Sequence, residues 1–352
     1  MEEKKKTARE IIEGYDGPPV RIMEVCGTHT HEIFRLGIRN LLPEQVELIS
    51  GPGCPVCVTQ VGFIDEAIYL ALERQVTICT FGDLVRVPGT NMSLAGARER
   101  GAKIRIVYSP VDAKEYAKEH PKEQVTFLSV GFETTTPSAC LSVKKAREEG
   151  LTNYSILTAN KTMPQAYEAL KESADIFLYP GHVNAITGTK LCEELAKEGV
   201  SGVVAGFTAK ELLTALAVAL ARFQEGRPFF VNCYPRVVTE NGSPQAQKLV
   251  EEMMEPCDSE WRGLGVIKGS GMRLQEEWSA FDARKKYKIP LIQGKANPAC
   301  RCGDVLQGKC KPSDCKVFGK VCTPQHPIGA CMVSGEGACS AYYMYGEAEK
   351  MK

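Results

Sequence analysis

The stretch QVTFLSVGFETTTPSACLSVKKAREEGLTNYSILTA, residues 124–159, contains a strand, a helix and a second strand in its pattern. Residues 124–130 and 154–159 are apolar and β-branched, whereas 138–150 carries apolar residues three and four positions apart. A helix that links two such strands forms a right-handed crossover between parallel strands. This unit therefore predicts a parallel β-α-β architecture.

The same alternation runs from Val20 to about Val237. The candidate strands are 20–25, 46–50, 76–81, 103–109, 124–130, 154–159, 176–180, 202–207 and 229–234. Helical patterns between them include 63–75, 138–150, 189–199 and 210–226. This order predicts the α/β class, with parallel sheets.

A length of 352 residues corresponds to about two or three domains. The proline-containing stretch 108–121 separates the first four strands from the last five, so we predict two similar α/β domains, 17–120 and 121–237, around a central cleft. A third, cysteine-rich domain would cover 238–352, with the N-terminal helix 1–16 packed against it. Before the cysteines it contains a polar helix and a glycine-rich segment, WRGLGVIKGSGMRL.

The composition limits the function classes. Hydrophobic residues make up 43% and charged residues 24%, which is ordinary for a globular protein. The 43 basic and 43 acidic residues balance, so neither nucleic acid nor an anionic membrane is an expected partner. The longest apolar run, 212–221, is about half of what a membrane span needs. We therefore expect a cytoplasmic protein.

Cysteine is the unusual component. The chain has 15 cysteines and only 5 histidines. With no apparent signal peptide, a disulfide framework is less plausible than metal binding or redox chemistry. Thiolate ligands favour an iron–sulfur cluster or zinc.

Four unusual segments each follow a predicted strand. They are CGTHTHE (26–32), GPGCPVC (51–57), GFETTTP (131–137) and PGHVNAITG (180–188). Loops at the carboxyl ends of parallel strands line the binding crevice of an open sheet. We therefore expect the four segments to converge on one cleft.

Cys26 precedes a predicted helix whose amino terminus would lower the thiol pKa, and His29 and His31 follow it closely. This pattern favours a reactive thiolate or a metal ligand. The alternative is a small buried cysteine beside a helix-capping Thr28.

Cys54 and Cys57 have the C-x-x-C spacing of a thiol–disulfide couple or of half a metal site. No second C-x-x-C accompanies them, which disfavours zinc. Glycines and prolines around them predict a rigid, exposed loop, and a redox pair is favoured over an inert structural pair.

The other two segments offer polar groups to a ligand. Glu133, Thr134 and Thr135 lie at a predicted helix start, where free N–H groups favour an anionic or hydrogen-bond-accepting ligand. Helix capping is the alternative, although it accounts only for Thr136. His182 joins this candidate binding set. The glycine spacing around it does not match a phosphate loop, so nucleotide binding has little support.

Seven cysteines lie within forty residues of the tail, where few periodic signals predict a core. They are Cys300, Cys302, Cys310, Cys315, Cys322, Cys331 and Cys339. A cubane cluster or a zinc ion needs four. A metal that holds the tail together is therefore physically reasonable.

Together the four segments and the tail sequences CRCG, KVCTP and GACMVSGEGACSAYY closely resemble the HypD family of NiFe-hydrogenase maturation proteins, over nearly the whole chain. The resemblance implies two α/β domains and a cysteine-rich part that holds a 4Fe–4S cluster. It also implies a scaffold, rather than a conventional turnover enzyme, on which the Fe(CN)2CO unit is assembled. The implied partners are the small protein HypC, the cyanide donor HypE with HypF upstream, and indirectly the hydrogenase large subunit.

The family's cluster pattern, C-x14-C-x6-C-x16-C, falls on four tail cysteines. These are Cys300, Cys315, Cys322 and Cys339. Cys302 and Cys331 remain as redox neighbours, and Cys310 is an extra cysteine of this chain. The resemblance also assigns Cys26 as the iron-binding thiolate with His29 beside it, and Cys54 with Cys57 as the redox pair.

The main hypothesis is thus a cytoplasmic scaffold and redox protein for the iron unit. The alternative is an iron–sulfur-dependent thiol–disulfide oxidoreductase without a second iron site, and a structural zinc protein is the third possibility. Because the cleft and the tail must exchange electrons under the main hypothesis, we expect the tail to dock against the GPGCPVC loop.

Overall fold

The computed structural model describes residues 6–346. The strands are β1 (Val20–Glu24), β2 (Val46–Ser50), β3 (Thr77–Thr80), β4 (Ile104–Ile106), β5 (Val125–Gly131), β6 (Tyr154–Asn160), β7 (Ile176–Pro180), β8 (Ser201–Ala205), β9 (Phe230–Asn232), β10 (Met254–Trp261) and β11 (Gly265–Leu274). The first eight helices are α1 (Ala8–Glu13), α2 (Gly27–Arg35), α3 (Pro55–Val58), α4 (Val61–Glu73), α5 (Leu94–Glu99), α6 (Pro110–Glu119), α7 (Thr136–Glu148) and α8 (Met163–Ala169). They are followed by α9 (Gly181–Thr187), α10 (Lys190–Lys197), α11 (Ala209–Phe223), α12 (Pro244–Met253), α13 (Ala283–Tyr287), α14 (Cys302–Leu306) and α15 (Ala338–Tyr345).

The α/β class with parallel sheets is confirmed. All nine predicted strands form, and they build a five-stranded sheet of order β2-β1-β7-β8-β9 and a four-stranded sheet of order β4-β3-β5-β6. Every pairing in both sheets is parallel. Every residue of β5 and of β6 is buried: β5 is a central strand, and the edge strand β6 is covered by contacts with β11, α7 and α13.

The expected grouping of the first four and the last five strands into separate sheets is wrong. The chain starts the five-stranded sheet with β1 and β2, builds the whole four-stranded sheet with β3 to β6, and then returns to add β7, β8 and β9. Residues 17–120 and 121–237 therefore each contribute strands to both sheets. Pairing of β1 with β7 decides this arrangement, and such a pairing leaves no mark in the local sequence pattern.

The N-terminal helix also differs from expectation. Helix α1 packs against α11, where Ile12 and Tyr15 join the apolar side chains of the five-stranded sheet, and not against the cysteine-rich tail. The apolar residues of α11 recur at three- and four-residue spacing, so one face of that helix can cover the sheet and still receive α1. Residues 1–5 of the expected helix 1–16 lie outside the described part of the chain.

The glycine-rich segment forms part of an antiparallel hairpin that the sequence analysis did not predict, β10 paired with β11. The hairpin is tied to the four-stranded sheet by Lys161, whose Nζ donates to the Ser259 hydroxyl (2.7 Å) and to the Glu260 carbonyl (2.6 Å). It also supplies Trp261, a fully buried side chain whose ring lies 5.9 Å from that of Phe132. The hairpin thereby closes the space between the two sheets.

The tail from Cys300 contains short helices and turns, and no strand within its described residues. Five of its seven cysteines belong to, or pack against, the same apolar cluster as residues at the carboxyl ends of both sheets, among them Val25 and Phe132; they are Cys300, Cys302, Cys322, Cys331 and Cys339. No helix within residues 6–346 has the length and apolar character that a bilayer crossing requires.

Candidate functional site

Two of the predicted segments meet directly at the edge of the five-stranded sheet. Strands β1 and β2 are neighbours, so CGTHTHE and GPGCPVC emerge side by side. The Gly27 amide donates to the Gly53 carbonyl at 3.0 Å, and a Cβ built on Gly53 would lie only 2.1 Å from the Cys26 nitrogen. Only glycine allows the two loops to approach this closely.

Cys26 is the N-cap residue of α2, and its thiol is buried. The expectation of a lowered thiol pKa is wrong: burial raises the pKa of Cys26 to about 12, although nearby amide groups of α2 partly oppose this. Thr28 does not cap the helix. A proton therefore remains on the free thiol at neutral pH, and binding of a metal would have to displace it.

A segment of the tail covers Cys26. The hydroxyl of Thr28 donates to Oε1 of Glu336 at 2.7 Å, and Nδ1 of His31 lies 3.1 Å from the Gly335 carbonyl. Glu336 lies within the quoted tail motif GACMVSGEGAC, but no sequence signal distinguished it. The tail is thus in contact with the cleft at Cys26 as well as at the C-x-x-C loop.

Two histidines, His29 and His182, pack against the ring of Phe207, which follows the carboxyl end of β8. His29 is fully buried, its Nε2 lies 3.0 Å from the Gly206 carbonyl, and its ring centroid lies 4.8 Å from that of Phe207. His182 stacks on the same ring at 3.9 Å. Burial lowers the pKa of His29 to about 4, so its imidazole is neutral at physiological pH.

The third segment, GFETTTP, approaches from the four-stranded sheet. Glu133 accepts a hydrogen bond from the Met163 amide at 2.9 Å, while its Oε2 is buried and has no partner among the described residues. Burial raises the pKa of Glu133 to about 7. Thr134 is exposed, and the Thr135 hydroxyl donates to the Phe132 carbonyl, so no hydrogen bond directs either hydroxyl toward Cys26.

Tyr167 of α8 lies in the apolar cluster that also contains Cys54 and Phe132. Burial raises the pKa of Tyr167, and the neighbouring Cys192 and Glu133 act in the same direction. That hydroxyl is buried and has no hydrogen-bond partner within residues 6–346. Shared contacts support the expected convergence: Cys54, Phe132 and Val183 belong to one apolar cluster, and CGTHTHE meets GPGCPVC through the Gly27 amide. Tyr167 belongs to the same cluster, and no sequence signal identified it.

Cys54 and Cys57 are buried, which corrects the expectation of an exposed loop. Pro55 starts the short helix α3, and the Cys57 amide donates to the Cys54 sulfur at 3.4 Å. Both are free thiols. The loop is covered because the tail packs on it: the Cys57 thiol lies 4.0 Å from the Ala330 carbonyl. The tail thus packs against GPGCPVC as predicted, whereas a cluster close to this loop stays a prediction.

Contacts between thiols continue from this loop into the tail. We call this set of side chains the thiol row: Cys54, Cys57, Cys331, Cys302 and Cys300. Within it, Cys57 contacts both Cys54 and Cys331, Cys331 contacts Cys302, and Cys302 contacts Cys300. Burial, together with these neighbouring thiols, raises the pKa of Cys57 well above its usual value. The row reaches from the cleft to the tail without interruption.

The tail end of the row opens onto a small cavity lined by six cysteines. They are Cys300, Cys302, Cys315, Cys322, Cys331 and Cys339. Cys310 does not line it. Within residues 6–346, no three His, Cys, Asp or Glu side chains form a group suited to a single metal ion, as a zinc site would require.

The four cysteines of the family pattern are the residues that could hold a 4Fe–4S cluster here. A 4Fe–4S cluster takes one thiolate on each of four irons, so its ligands surround a cavity and do not converge on one point. The donor set is entirely sulfur, and the Ile328 amide donates to the Cys322 sulfur at 3.3 Å, as hydrogen bonds to cluster ligands do. All four line the cavity.

Arg262 lines a neighbouring pocket that shares Cys300 and Cys302 with the cysteine cavity. Its buried guanidinium donates to the carbonyls of Thr59 (2.8 Å) and Pro88 (3.4 Å), and no carboxylate of the described chain forms an ion pair with it. This uncompensated positive charge favours anionic sulfur nearby. The sequence could not reveal it, because the hairpin that carries it was not predicted.

Comparisons with known proteins agree with the geometry. The HypD family model, described as the hydrogenase formation hypA family, matches residues 2–346. Hydrogenase maturation factor HypD of Cupriavidus necator is 42% identical over 347 residues, covering 95% of this chain and 92% of that protein. The HypD proteins of Rhizobium leguminosarum (44%; 97% of this chain, 92% of the relative) and Escherichia coli K12 (43%; 94% and 90%) are similarly close.

Proposed function

Because the chain belongs to the HypD family of hydrogenase maturation factors, we propose that it is the scaffold on which the Fe(CN)2CO unit of a NiFe-hydrogenase is assembled. In this proposal it acts in the cytoplasm in a complex with a HypC-type small protein. HypE, with HypF upstream, supplies cyanide, and the hydrogenase large subunit receives the product indirectly.

Cys26 is the proposed ligand of the substrate iron. Its soft thiolate would suit low-spin iron, and Cys26 lies at the N-terminus of α2, directly after β1. Neutral His29, three residues after Cys26 in α2, supports this site without binding the iron itself. The buried hydroxyl of Tyr167 and the carboxyl of Glu133, which has a pKa near 7, supply hydrogen-bond donors for the nitrogen end of cyanide.

The proposed resident cofactor is a 4Fe–4S cluster held by Cys300, Cys315, Cys322 and Cys339, which supplies one electron at a time when bound. Two further cysteines of the tail, Cys302 and Cys331, line the same cavity. Cys302 and Cys331 are in thiol contact with the loop that carries Cys54 and Cys57, and a C-x-x-C pair can take or give two electrons as dithiol and disulfide.

One observation carries this proposal: the thiol row ends beside Cys26. The Gly53 backbone, next to Cys54, touches the backbone of Cys26, and the opposite end of the row lines the cysteine cavity. In this proposal an electron store, a dithiol couple and an iron-binding thiolate would follow one another along this path. Neither a simple zinc protein nor an isolated oxidoreductase requires an iron-binding thiolate at Cys26.

The test is anaerobic co-purification with the small partner, followed by iron and sulfide analysis and infrared spectroscopy. Bands of metal-bound cyanide and carbon monoxide, together with about four irons and four sulfides from the cluster, are the expected result. A cluster without those bands would instead favour the oxidoreductase alternative. A colourless protein that contains zinc would exclude both.

The redox pair has its own test. Alkylation after stepwise reduction should show the Cys54 and Cys57 thiols appearing together at a single potential. Serine at either position should block hydrogenase maturation while the iron and sulfide of the cluster remain. Full maturation with both replaced by serine would reduce the pair to a structural role.

A further inference from the structure

The chain between two of the cavity cysteines separates the cysteine cavity from solvent. Residues 316–321 connect Cys315 to Cys322, and Val317 and Phe318 from this connection line the cavity. Lys316 and Lys320 on either side of them are exposed. A molecule that contacts the outer face of this connection is therefore separated from the cavity by a single layer of chain.

The outer face has a pronounced charge. Residues 309–321 contain four lysines and one aspartate, a net charge of +3 in a chain whose total charge is zero. Lys309, Lys311, Lys316 and Lys320 are all exposed, and none forms an ion pair with a carboxylate of the described residues. The carboxylate of Asp314 is engaged by the Lys311 amide at 2.8 Å.

An apolar patch lies within the same face. Val321 is 60% exposed, Tyr343 40% and Met344 46%. The Tyr343 ring packs near Phe318, 6.1 Å between centroids, so the apolar and charged parts form one surface. We call residues 309–321 with Tyr343 and Met344 the lysine face. Positive charge around an apolar centre is typical of a protein-docking surface, whereas nucleic acid would not use the apolar part.

We propose that the lysine face is the docking surface for an acidic one-electron carrier protein that reduces the cluster. This inference rests on the proposed function, which places a cluster in the cavity behind the face. The carrier loses one electron and the cluster gains it. Two such transfers, with two protons from solvent, convert one disulfide of the thiol row into two thiols.

Charge complementarity identifies the partner class. An acidic surface would be attracted by the unpaired lysines, and attraction of this kind raises association rates by about 10-fold to 1000-fold at low ionic strength. The connection 316–321 then brings the donor as close to Cys315 and Cys322 as the covalent structure allows. The pocket beside Arg262 differs, because its exposed cation Arg301 forms an ion pair with Asp304 at 2.9 Å and no large apolar side chain that lines it is exposed.

The experiment uses the anaerobic, cluster-containing protein and a prereduced plant-type 2Fe–2S ferredoxin as the probe. The test variant is K316E/K320E. The matched control is K122E/K197E, which makes the same charge change at two exposed lysines that precede β5 and β8, at the opposite ends of the sheets. Stopped-flow bleaching measures the rate of cluster reduction, and titration of oxidised ferredoxin into each protein measures affinity independently of electron transfer.

We expect K316E/K320E to slow reduction by ferredoxin and to weaken its binding, each about tenfold at low salt, with the difference disappearing at high salt. Reduction by dithionite should be unchanged in both variants, and the control should stay within about twofold of the unaltered protein. Equal effects of the two variants, or none, would overturn the proposal, as would tighter binding of a DNA duplex than of ferredoxin. A protein without iron and sulfide would refute the proposed function instead, while the affinity measurement would still test the surface.

Discussion

The close approach of the GPGCPVC loop to Cys26 can be tested by the substitution Gly53→Ala. The added Cβ would lie 2.1, 2.3 and 2.5 Å from the nitrogen, Cα and carbonyl carbon of Cys26, whereas real Cβ atoms essentially never approach within 3.0 Å. All three atoms belong to the backbone, so no side chain can rotate away. One of the two loops must move by nearly 1 Å.

The cost follows from this geometry. Overpacking of a well-packed site costs about 1–3 kcal/mol, and a backbone clash belongs at the upper end of that range. The movement would also weaken the hydrogen bond from the Gly27 amide to the Gly53 carbonyl, which contributes about 1 kcal/mol. We therefore expect the free energy of unfolding to fall by roughly 3 kcal/mol. The distance between Cys54 and Cys26 should change with it.

Gly335→Ala is the matched control. Gly335 lies in the tail segment over the same site, its carbonyl contacts His31, and a Cβ there would have nothing within 4 Å. Its free energy of unfolding should stay within about 0.5 kcal/mol of the unaltered protein. Urea denaturation measures the stability of both variants, and the infrared bands of the partner complex measure iron assembly. Normal stability and normal bands in the Gly53 variant would refute the requirement for close approach.

Three further outcomes test the site. Cys315→Ser should lose the iron, the sulfide and the brown absorption. The tail of this variant should also become more susceptible to protease, because the metal contributes to folding of the tail. Cys310→Ser, at a cysteine outside the cavity, should keep the iron, the sulfide and the absorption. Cys26→Ala should abolish the cyanide and carbon monoxide bands with the tail cluster intact; persistent bands would place the iron ligand elsewhere. Burial raises the pKa of Glu133 to about 7, so its stabilising contribution is complete below about pH 4.5 and is lost as the pH rises through 7. Glu133→Gln should therefore gain stability over the unaltered protein at pH 8, by at most about 3 kcal/mol, and differ little near pH 4; equal denaturation curves at both pH values would contradict the shift.

The local sequence pattern was sufficient to predict the strands of the two parallel sheets and the sheet edge at which the candidate site lies. β2 and β7 have the predicted bounds. β7 is a short, continuous apolar run, as expected of a buried parallel strand, whereas the edge strand β2 includes the exposed Glu47. The convergence of the four segments also followed from sequence, since each comes directly after a strand and parallel strands end at one edge. The cysteine spacing and the quoted motifs were sufficient for the family.

The tertiary structure decided which strand pairs with which, and that in turn decided the site. Pairing of β1 with β7 brings His182 next to His29, although 153 residues separate them in the sequence. Burial is a property of the assembled molecule, so the raised pKa of Cys26 and the enclosure of Cys54 and Cys57 depend on the tail that packs over them. The thiol row, Glu336 over Thr28 and the charge of Arg262 are likewise contacts between distant segments. Sequence periodicity records what each segment buries, but not the partner against which it is buried.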